Sequence, residues 1–319
     1  MCAARGVAPG TARQGGDLNK FLWTLAAGLA FASSIVAAQS GSPADRQTHP
    51  AAGSDHFMDA AFAERARNLN LKSSSALVVY QGTGRVLYAK NTETVVPIAS
   101  ITKLMTAMVT LDAKLSLDES VQISGADIDE IKGTHSRLRI GSLLTRSELL
   151  RLALMSSENR AAAALARTYP GSTAAFVAAM NQKAAELGMW STRFVDSTGL
   201  SSDNVSTAQD LVKMVNAAYH YSLVREYTTG TAHAVSLAKG RILQYRNSNG
   251  LVKNPSWHIG LSKTGYISEA GRCLVMQAEI ASMPVVIVLL DSWGKLSRMG
   301  DANRIKKWIE STSIRQIAG

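Results

Sequence analysis

Three strand-length apolar runs stand near the end of the chain, "HIGLSKTGYI", "CLVMQAEI" and "MPVVIVLLDS", separated only by short segments containing Ser, Glu, Ala and Gly. Two more strand signals open the patterned part of the sequence in "SSALVVYQGTGRVLYAKN", where Gly82 and Gly84 mark a hairpin. Between these ends the apolar residues recur at helical spacing. Strands at both ends with helices between them require a sheet assembled from the two chain ends. The expected fold is therefore α/β of the α+β type: an antiparallel sheet flanked by helices, with an inserted, mostly helical subdomain at about residues 113–235.

Within the middle, Ile101, Leu104, Met105, Met108 and Val109 recur at three and four residues and predict a helix with one buried stripe. Thr145 and Glu148 form a T-x-x-E capping box before "LLRLALM", and a second helix runs through "NRAAAALARTY" to Pro170. Further helices are expected at "STAAFVAAMNQKAAELG" and at "STAQDLVKMVNAAYHY", the latter capped by Ser206. The closing helix is "DANRIKKWIE", and no internal repeat is present.

The chain of 319 residues is long enough for one large domain or two small ones, and its hydrophobic content of 46% suits a globular protein. Its first forty residues differ from the rest. Arg5, Arg13 and Lys20 precede the uncharged run "FLWTLAAGLAFASSIVAA", which reads as a secretory signal peptide, residues 1–38, cleaved after Ala38. A retained membrane anchor fits less well, because the run is short and contains Gly28, Ser33 and Ser34. The stretch before it is long for a signal's basic region, which leaves room for a start codon further downstream. Residues 39–72 are read as a flexible leader, rich in Ser, Pro, Ala and Gly at its start, and residues 73–319 as the folded domain. Of the two cysteines, Cys2 falls in the signal and Cys273 in a buried strand, so no intramolecular disulfide is expected. The net charge of +10 becomes +8 without the signal, a balance suited to cell-wall polymers, anionic lipids or carboxylate-bearing peptides, and equally to a generally basic surface. No basic run is interleaved with aromatics, which argues against nucleic acid.

Three S-x-x-K matches occur, at Ser100 ("SITK"), Ser236 ("SLAK") and Ser292 ("SWGK"). Only the first opens a long amphipathic helix, where a three-residue offset puts both side chains on one face. A desolvated, neutral Lys103 there can take the Ser100 proton, and the helix N-terminus favours negative charge near the hydroxyl. Taken alone, the stretch is better read as an N-cap serine with a solvated lysine. A second element is "MSSENRAAAA", which places Ser157 and Asn159 at a break between helices, suited to proton relay and to holding a carbonyl, although Ser157 also fits a cap. A rival, Ser202-Asp203-Asn204, lies in a loop where polar residues need no functional reason. The third element is "SKTGY" in a strand: Lys263 offers positive charge to a substrate carboxylate, Thr264 a hydroxyl, and Gly265 close approach of an extended peptide to the strand edge.

The order S-x-x-K, S-x-N, K-T-G is that of the penicillin-binding proteins and serine β-lactamases. With "VVPIASITKLMTAMV", "LMSSENRAAAALARTYPG", "FVDSTGLSSDNVSTAQDL" and "LSKTGYISEAGRCLVM", the chain resembles the low-molecular-mass D-alanyl-D-alanine peptidases over roughly residues 73–312, most of all the soluble endopeptidases among them. The resemblance places the S-x-N element at Ser157 to Asn159. It implies Ser100 as acyl nucleophile, Lys103 as its base, Ser157 and Asn159 as proton shuttle and substrate positioner, and Lys263, Thr264, Gly265 and Tyr266 as the substrate-binding edge. It further implies an oxyanion hole from the Ser100 and Tyr266 amides, each such donor being worth ~100 to 1000-fold in rate. The six histidines show no H-E-x-x-H spacing, so no metal or other cofactor is expected, and G-x-S-x-G is absent.

The implied activity is a serine D,D-endopeptidase that cuts peptide cross-links of peptidoglycan in the periplasm, has at most peripheral membrane association, and is covalently inhibited by β-lactams. A D,D-carboxypeptidase would use the same residues. Relatives with that activity carry a further β-rich domain and an anchor, whereas 54 residues follow Gly265 here, enough to finish the sheet and its helix. A β-lactamase is disfavoured because "STRFVDSTGLSSDN" holds no glutamate for deacylation. A non-catalytic peptidoglycan-binding or antibiotic-sensing domain is the alternative outside enzymology. Arg137 and Arg139 in "HSRLRIGS" are candidate readers of a stem-peptide carboxylate.

Overall fold

The computed structural model describes residue 66 and residues 68–317; the expected signal peptide and nearly all of the expected leader lie outside them. Five antiparallel strands form the main sheet: β1 (Ser73–Tyr80) and β2 (Val86–Lys90) from the start, β9 (His258–Ile267), β10 (Gly271–Ile280) and β11 (Met283–Ser292) from the end, in the order β2-β1-β11-β10-β9. The junction of the two chain ends is the β1–β11 pairing, with Leu77 opposite Val288 and Val79 opposite Val286. Both faces of this sheet are covered, which explains why its strands read as continuous apolar runs rather than as alternating ones. Leu77, Val79, Val275, Val286 and Val288 face the helical side, while Val78, Met276, Ile287 and Leu289 face Ala302, Ile305 and Trp308 of the closing helix.

The insertion holds helices α1 (Lys103–Asp112), α2 (Arg146–Met155), α3 (Asn159–Arg167), α4 (Ser172–Glu186), α5 (Ala208–Tyr219) and α6 (Ser222–Thr229), α7 (Ser297–Ile317) closes the domain, and two short strands, β3 (Val96–Pro97) and β6 (Val205–Ser206), pair antiparallel. The Thr145–Glu148 capping box forms as the sequence predicts, with both reciprocal hydrogen bonds present. Helix α1 departs from expectation: every residue from Ile101 to Thr110 is buried, not one stripe of it. It packs against the other five helices of the insertion, and its polar residues Lys103, Thr106 and Thr110 are each hydrogen-bonded.

Four boundaries also shift. Residues 113–145 are mostly irregular, crossed by the small pair β4 (Ser120–Gln122) and β5 (Leu143–Thr145), so the helical part starts at α1 and pauses there. After α6 comes a two-stranded hairpin of β7 (Ala232–Leu237) and β8 (Arg241–Arg246), which local periodicity did not reveal. The cap of α5 is Thr207, whose side chain accepts from the Asp210 amide, and not Ser206. The packed domain begins before Ser73, because Leu71 is buried and the Lys72 amide donates to Asp301.

Asp301, fully buried near the start of α7, fastens these ends together. It accepts from the Lys72 amide (2.9 Å), the Ser73 amide (2.8 Å) and Ser73 Oγ (2.6 Å), and pairs with Arg304. Ser73 Oγ in turn meets Ser292 Oγ at 2.5 Å, so one carboxylate knots the start of β1, the end of β11 and α7. Truncating it strands two buried donors and a half-buried one. Asp301→Ala is expected to cost about 3 kcal/mol in denaturant unfolding, and a loss below about 0.5 kcal/mol, the level of a surface change, would show that this knot holds nothing.

Candidate active site

Ser100 lies in a 3-10 turn, Ala99–Thr102, that leads into α1, and no side chain caps either helix start. Its oxygen is instead met by Lys103 Nζ at 2.9 Å. The turn is tightly built. Ala99 has a φ of +47°, a conformation non-glycine residues rarely adopt. Two glycines make room for it. A Cβ on Gly199 (φ +78°) would sit 2.0 Å from Ala99 O, and a Cβ on Gly265 would sit 2.9 Å from Ile98 O and 3.2 Å from Ser100 N. Gly265 is thus required by the close passage of β9 along the turn that carries Ser100, in addition to any ligand approach anticipated from the sequence.

Lys103 Nζ has three contacts: Ser100 Oγ, Asn159 Oδ1 at 2.8 Å and the Thr198 carbonyl at 2.6 Å. Two of these partners have no proton to give, so two N–H bonds are committed to them. The third position is the one facing the hydroxyl. Lys103 is fully buried, and that burial pulls its pKa down to about 7, against the attraction of Asp196, Glu158 and Asp129. As a neutral amine it presents its lone pair to the Ser100 proton.

The Thr198 carbonyl is placed by a loop wound around Asp196, whose carboxylate accepts from Thr198 N, Thr198 Oγ1, Gly199 N and Ser201 N. Asn204 pins the same loop to the turn that carries Ser100, accepting from the Val195 and Asp196 amides and donating to Thr102 Oγ1. The rival Ser202-Asp203-Asn204 element therefore contributes a buried structural asparagine. The other S-x-x-K serines lie elsewhere, Ser236 exposed on β7 and Ser292 bonded to Ser73.

Ser157 occupies the break between α2 and α3 with a φ of +63°, a strained position for serine. It is not the cap: Glu158 accepts from the Arg160 amide and serves that purpose. Ser157 Oγ is held by Lys263 Nζ at 2.9 Å. Lys263 is buried, and burial, with Lys103 and Arg298 nearby, pushes its pKa well below the ordinary lysine value. The structure places Lys263 behind Ser157, beneath the residues that line the cleft. Thr264 does border it, with its hydroxyl donating to Ser248 Oγ at 2.7 Å, and Tyr266 is half exposed at the rim.

The cleft, about 410 Å³, is lined by Ser100, Ser157, Asn159, Thr264, Gly265 and Tyr266, which brings together six of the eight residues singled out from sequence; Lys103 and Lys263 lie directly beneath. Sequence reasoning missed Thr134, Lys132 and Arg298, which also line it, with Leu200, Ile267 and Ser268. Arg298, at the start of α7, donates to the Gly265 carbonyl at 2.9 Å and leaves its Nε without a partner. Arg137 and Arg139, the candidates taken from sequence, do not line the cleft; Arg137 stacks on Tyr245 and donates to the Gln244 carbonyl. Lys132 pairs with Glu269 of the β9–β10 turn. No carboxylate lines the cleft, and no group of His, Cys, Asp or Glu able to hold a metal ion occurs among the described residues.

The chain is similar in sequence and fold to known proteins. A D-alanyl-D-alanine endopeptidase of Pseudomonas aeruginosa is 50% identical over 248 residues, covering 77% of this chain and 80% of that protein. One from Escherichia coli is 45% identical over 258 residues, covering 81% and 83%. The crystal structure of the DD-transpeptidase of Streptomyces strain K15 superposes with a TM-score of 0.69 at 31% identity, over 75% of this chain and 97% of that one. Penicillin-binding protein D2 of Listeria monocytogenes, solved in its ampicillin-bound form, gives 0.65 at 31% identity, over 76% and 98%. Residues 61–294 match the family described as D-alanyl-D-alanine carboxypeptidase, peptidase S11. With a serine, a buried lysine and their partners on the expected elements, the chain belongs to the S11 family of D-alanyl-D-alanine peptidases.

Proposed function

We propose that this protein is a serine D,D-endopeptidase that hydrolyses the peptide cross-links of peptidoglycan through an acyl-enzyme. The observation that carries the reading is the Lys103 amine, buried against Ser100 Oγ with its other hydrogen-bonding positions committed to Asn159 and Thr198. Ser100 Oγ gives its proton to Lys103 Nζ and attacks the D-alanyl carbonyl, whose oxygen takes up the negative charge at the Ser100 and Tyr266 amides. Collapse breaks the carbon–nitrogen bond. The proton returns to the leaving nitrogen by way of Ser157, held from behind by Lys263, and water then hydrolyses the ester. Asn159 and Thr264 position the substrate, and Arg298 places a positive charge on the cleft wall.

The substrate is extracytoplasmic, and we place the protein in the periplasm, exported by a cleaved signal at residues 1–38. Support comes from the basic, apolar and small-residue order of that segment. No helix among the described residues is long and apolar enough to cross a membrane.

Two outcomes follow. Given a mixture of cross-linked muropeptide dimers and pentapeptide monomers, the wild type is expected to consume the dimers and spare the monomers, and Ser100→Ala to leave both intact by mass spectrometry. Release of terminal D-alanine instead would move the assignment to a carboxypeptidase, and dimer cleavage by Ser100→Ala would remove the nucleophile. A penicillin is expected to form a long-lived adduct on Ser100, since the cleft has no carboxylate to activate a deacylating water. Sustained catalytic turnover of the drug in a spectrophotometric assay would contradict this.

A further inference from the structure

An asparagine amide has two ends of nearly equal size, and only its hydrogen bonds decide which end faces which neighbour. Asn159 turns Oδ1 to Lys103 Nζ and Nδ2 to Thr134 Oγ1, the latter at 3.0 Å. Thr134 has one hydroxyl proton, and it is spent on Asp129 Oδ2 at 2.6 Å. Asp129 also accepts from the backbone amides of Ile131, Lys132 and Thr134. Burial acts to raise its pKa, but these hydrogen bonds outweigh it and keep the carboxyl below its ordinary range, so it is an acceptor only. The Thr134 oxygen therefore has only a lone pair to offer Asn159, and the amino end must face it.

We infer that Thr134, oriented by Asp129, is a positioning residue for the reaction at Ser100, fixing the direction of the Asn159 amide so that its carbonyl faces Lys103. Nothing in the three sequence elements points to this residue; it arrives from the irregular segment between β4 and β5. The consequence lies in the lysine's lone pair. With the amide reversed, an Nδ2–H would face Lys103 and compete with the Ser100 hydroxyl for that lone pair. The charged groups acting on Lys103 are Asp196 from the loop before α5, Glu158 at the start of α3, Asp129 itself, and the neighbouring Lys263 on β9. Reversal replaces a carbonyl that favours the ammonium with a donor that disfavours it, which lowers the pH at which Lys103 becomes neutral.

The inference rests on Ser100 being acylated with Lys103 as its base, and the test separates the two. The second-order rate of labelling by a fluorescent penicillin is followed from pH 5 to about 9, a window that spans the ordinary histidine-to-thiol range, for wild type, Thr134→Val, Thr134→Ser and Ser100→Ala, with thermal unfolding as a check on folding. Thr134→Val, which keeps shape and removes the hydroxyl, is expected to label roughly tenfold more slowly on the plateau, the worth of about one hydrogen bond, with its acidic limb moved to lower pH and its unfolding midpoint unchanged. Thr134→Ser is expected to restore both rate and limb. Wild-type labelling by Thr134→Val at every pH, or equal loss in the Val and Ser variants, overturns the positioning role while leaving the nucleophile in place. Labelling of Ser100→Ala overturns the underlying reading instead.

Discussion

The site depends on a lysine amine enclosed by the protein with no ion-pair partner. Lys103 is fully buried on α1, and its contacts are a hydroxyl and two carbonyl-type oxygens rather than a carboxylate. Removing an unpaired ammonium from water costs several kcal/mol, and the cheaper state is the neutral amine, which is also the state able to take a proton from serine. Asp196, Glu158 and Asp129 lie near enough to act on it but do not touch it, so the shift stops at about 7. Direct contact with any of them would lock the ammonium, and greater distance would leave an amine too weakly basic to accept a proton.

Much of the surrounding structure serves to hold that environment closed. The loop wound on Asp196 brings the Thr198 carbonyl to the amine, Asn204 ties the loop to the turn that carries Ser100, and Gly199 and Gly265 let backbone approach that turn where any side chain would collide. The sheet contributes rigidity: β9, which forms the opposite wall of the cleft, is paired with β10 along its length and covered from behind by α7 through β10. The start of β1 and the end of β11 are joined to α7 at Asp301, remote in sequence from Ser100.

The elements that depend on local pattern were legible in the sequence. The three closing strands, the first hairpin, the Thr145 capping box and the helices beginning near Asn159 and Ala208 each follow from periodicity and capping chemistry. The three chemical elements converge where their helix, break and strand contexts place them. What could not be read involves partners distant along the chain. Burial of Lys263 behind Ser157, Arg298 reaching back to Gly265, and Thr134 meeting Asn159 are contacts across 106, 33 and 25 residues. The hairpin of β7 and β8 carries exposed residues on alternate positions and one buried valine in its first strand, too little apolar pattern to announce a strand pair. Arg137 was a plausible carboxylate reader by charge alone, and only the fold reveals that Tyr245 and the Gln244 carbonyl already occupy it.

The proposed chemistry at Ser100 depends on the protonation state of one amine. Titration of the Lys103 side chain by NMR on protein carrying isotope-labelled lysine, assigned by comparison with Lys103→Met, measures it directly. Burial lowers the folded-state value, so the amine is expected to be protonated below and neutral above a midpoint at about 7. A midpoint near the ordinary 10.5 would mean that the group remains an ammonium at neutral pH, and the mechanism built on it would be wrong.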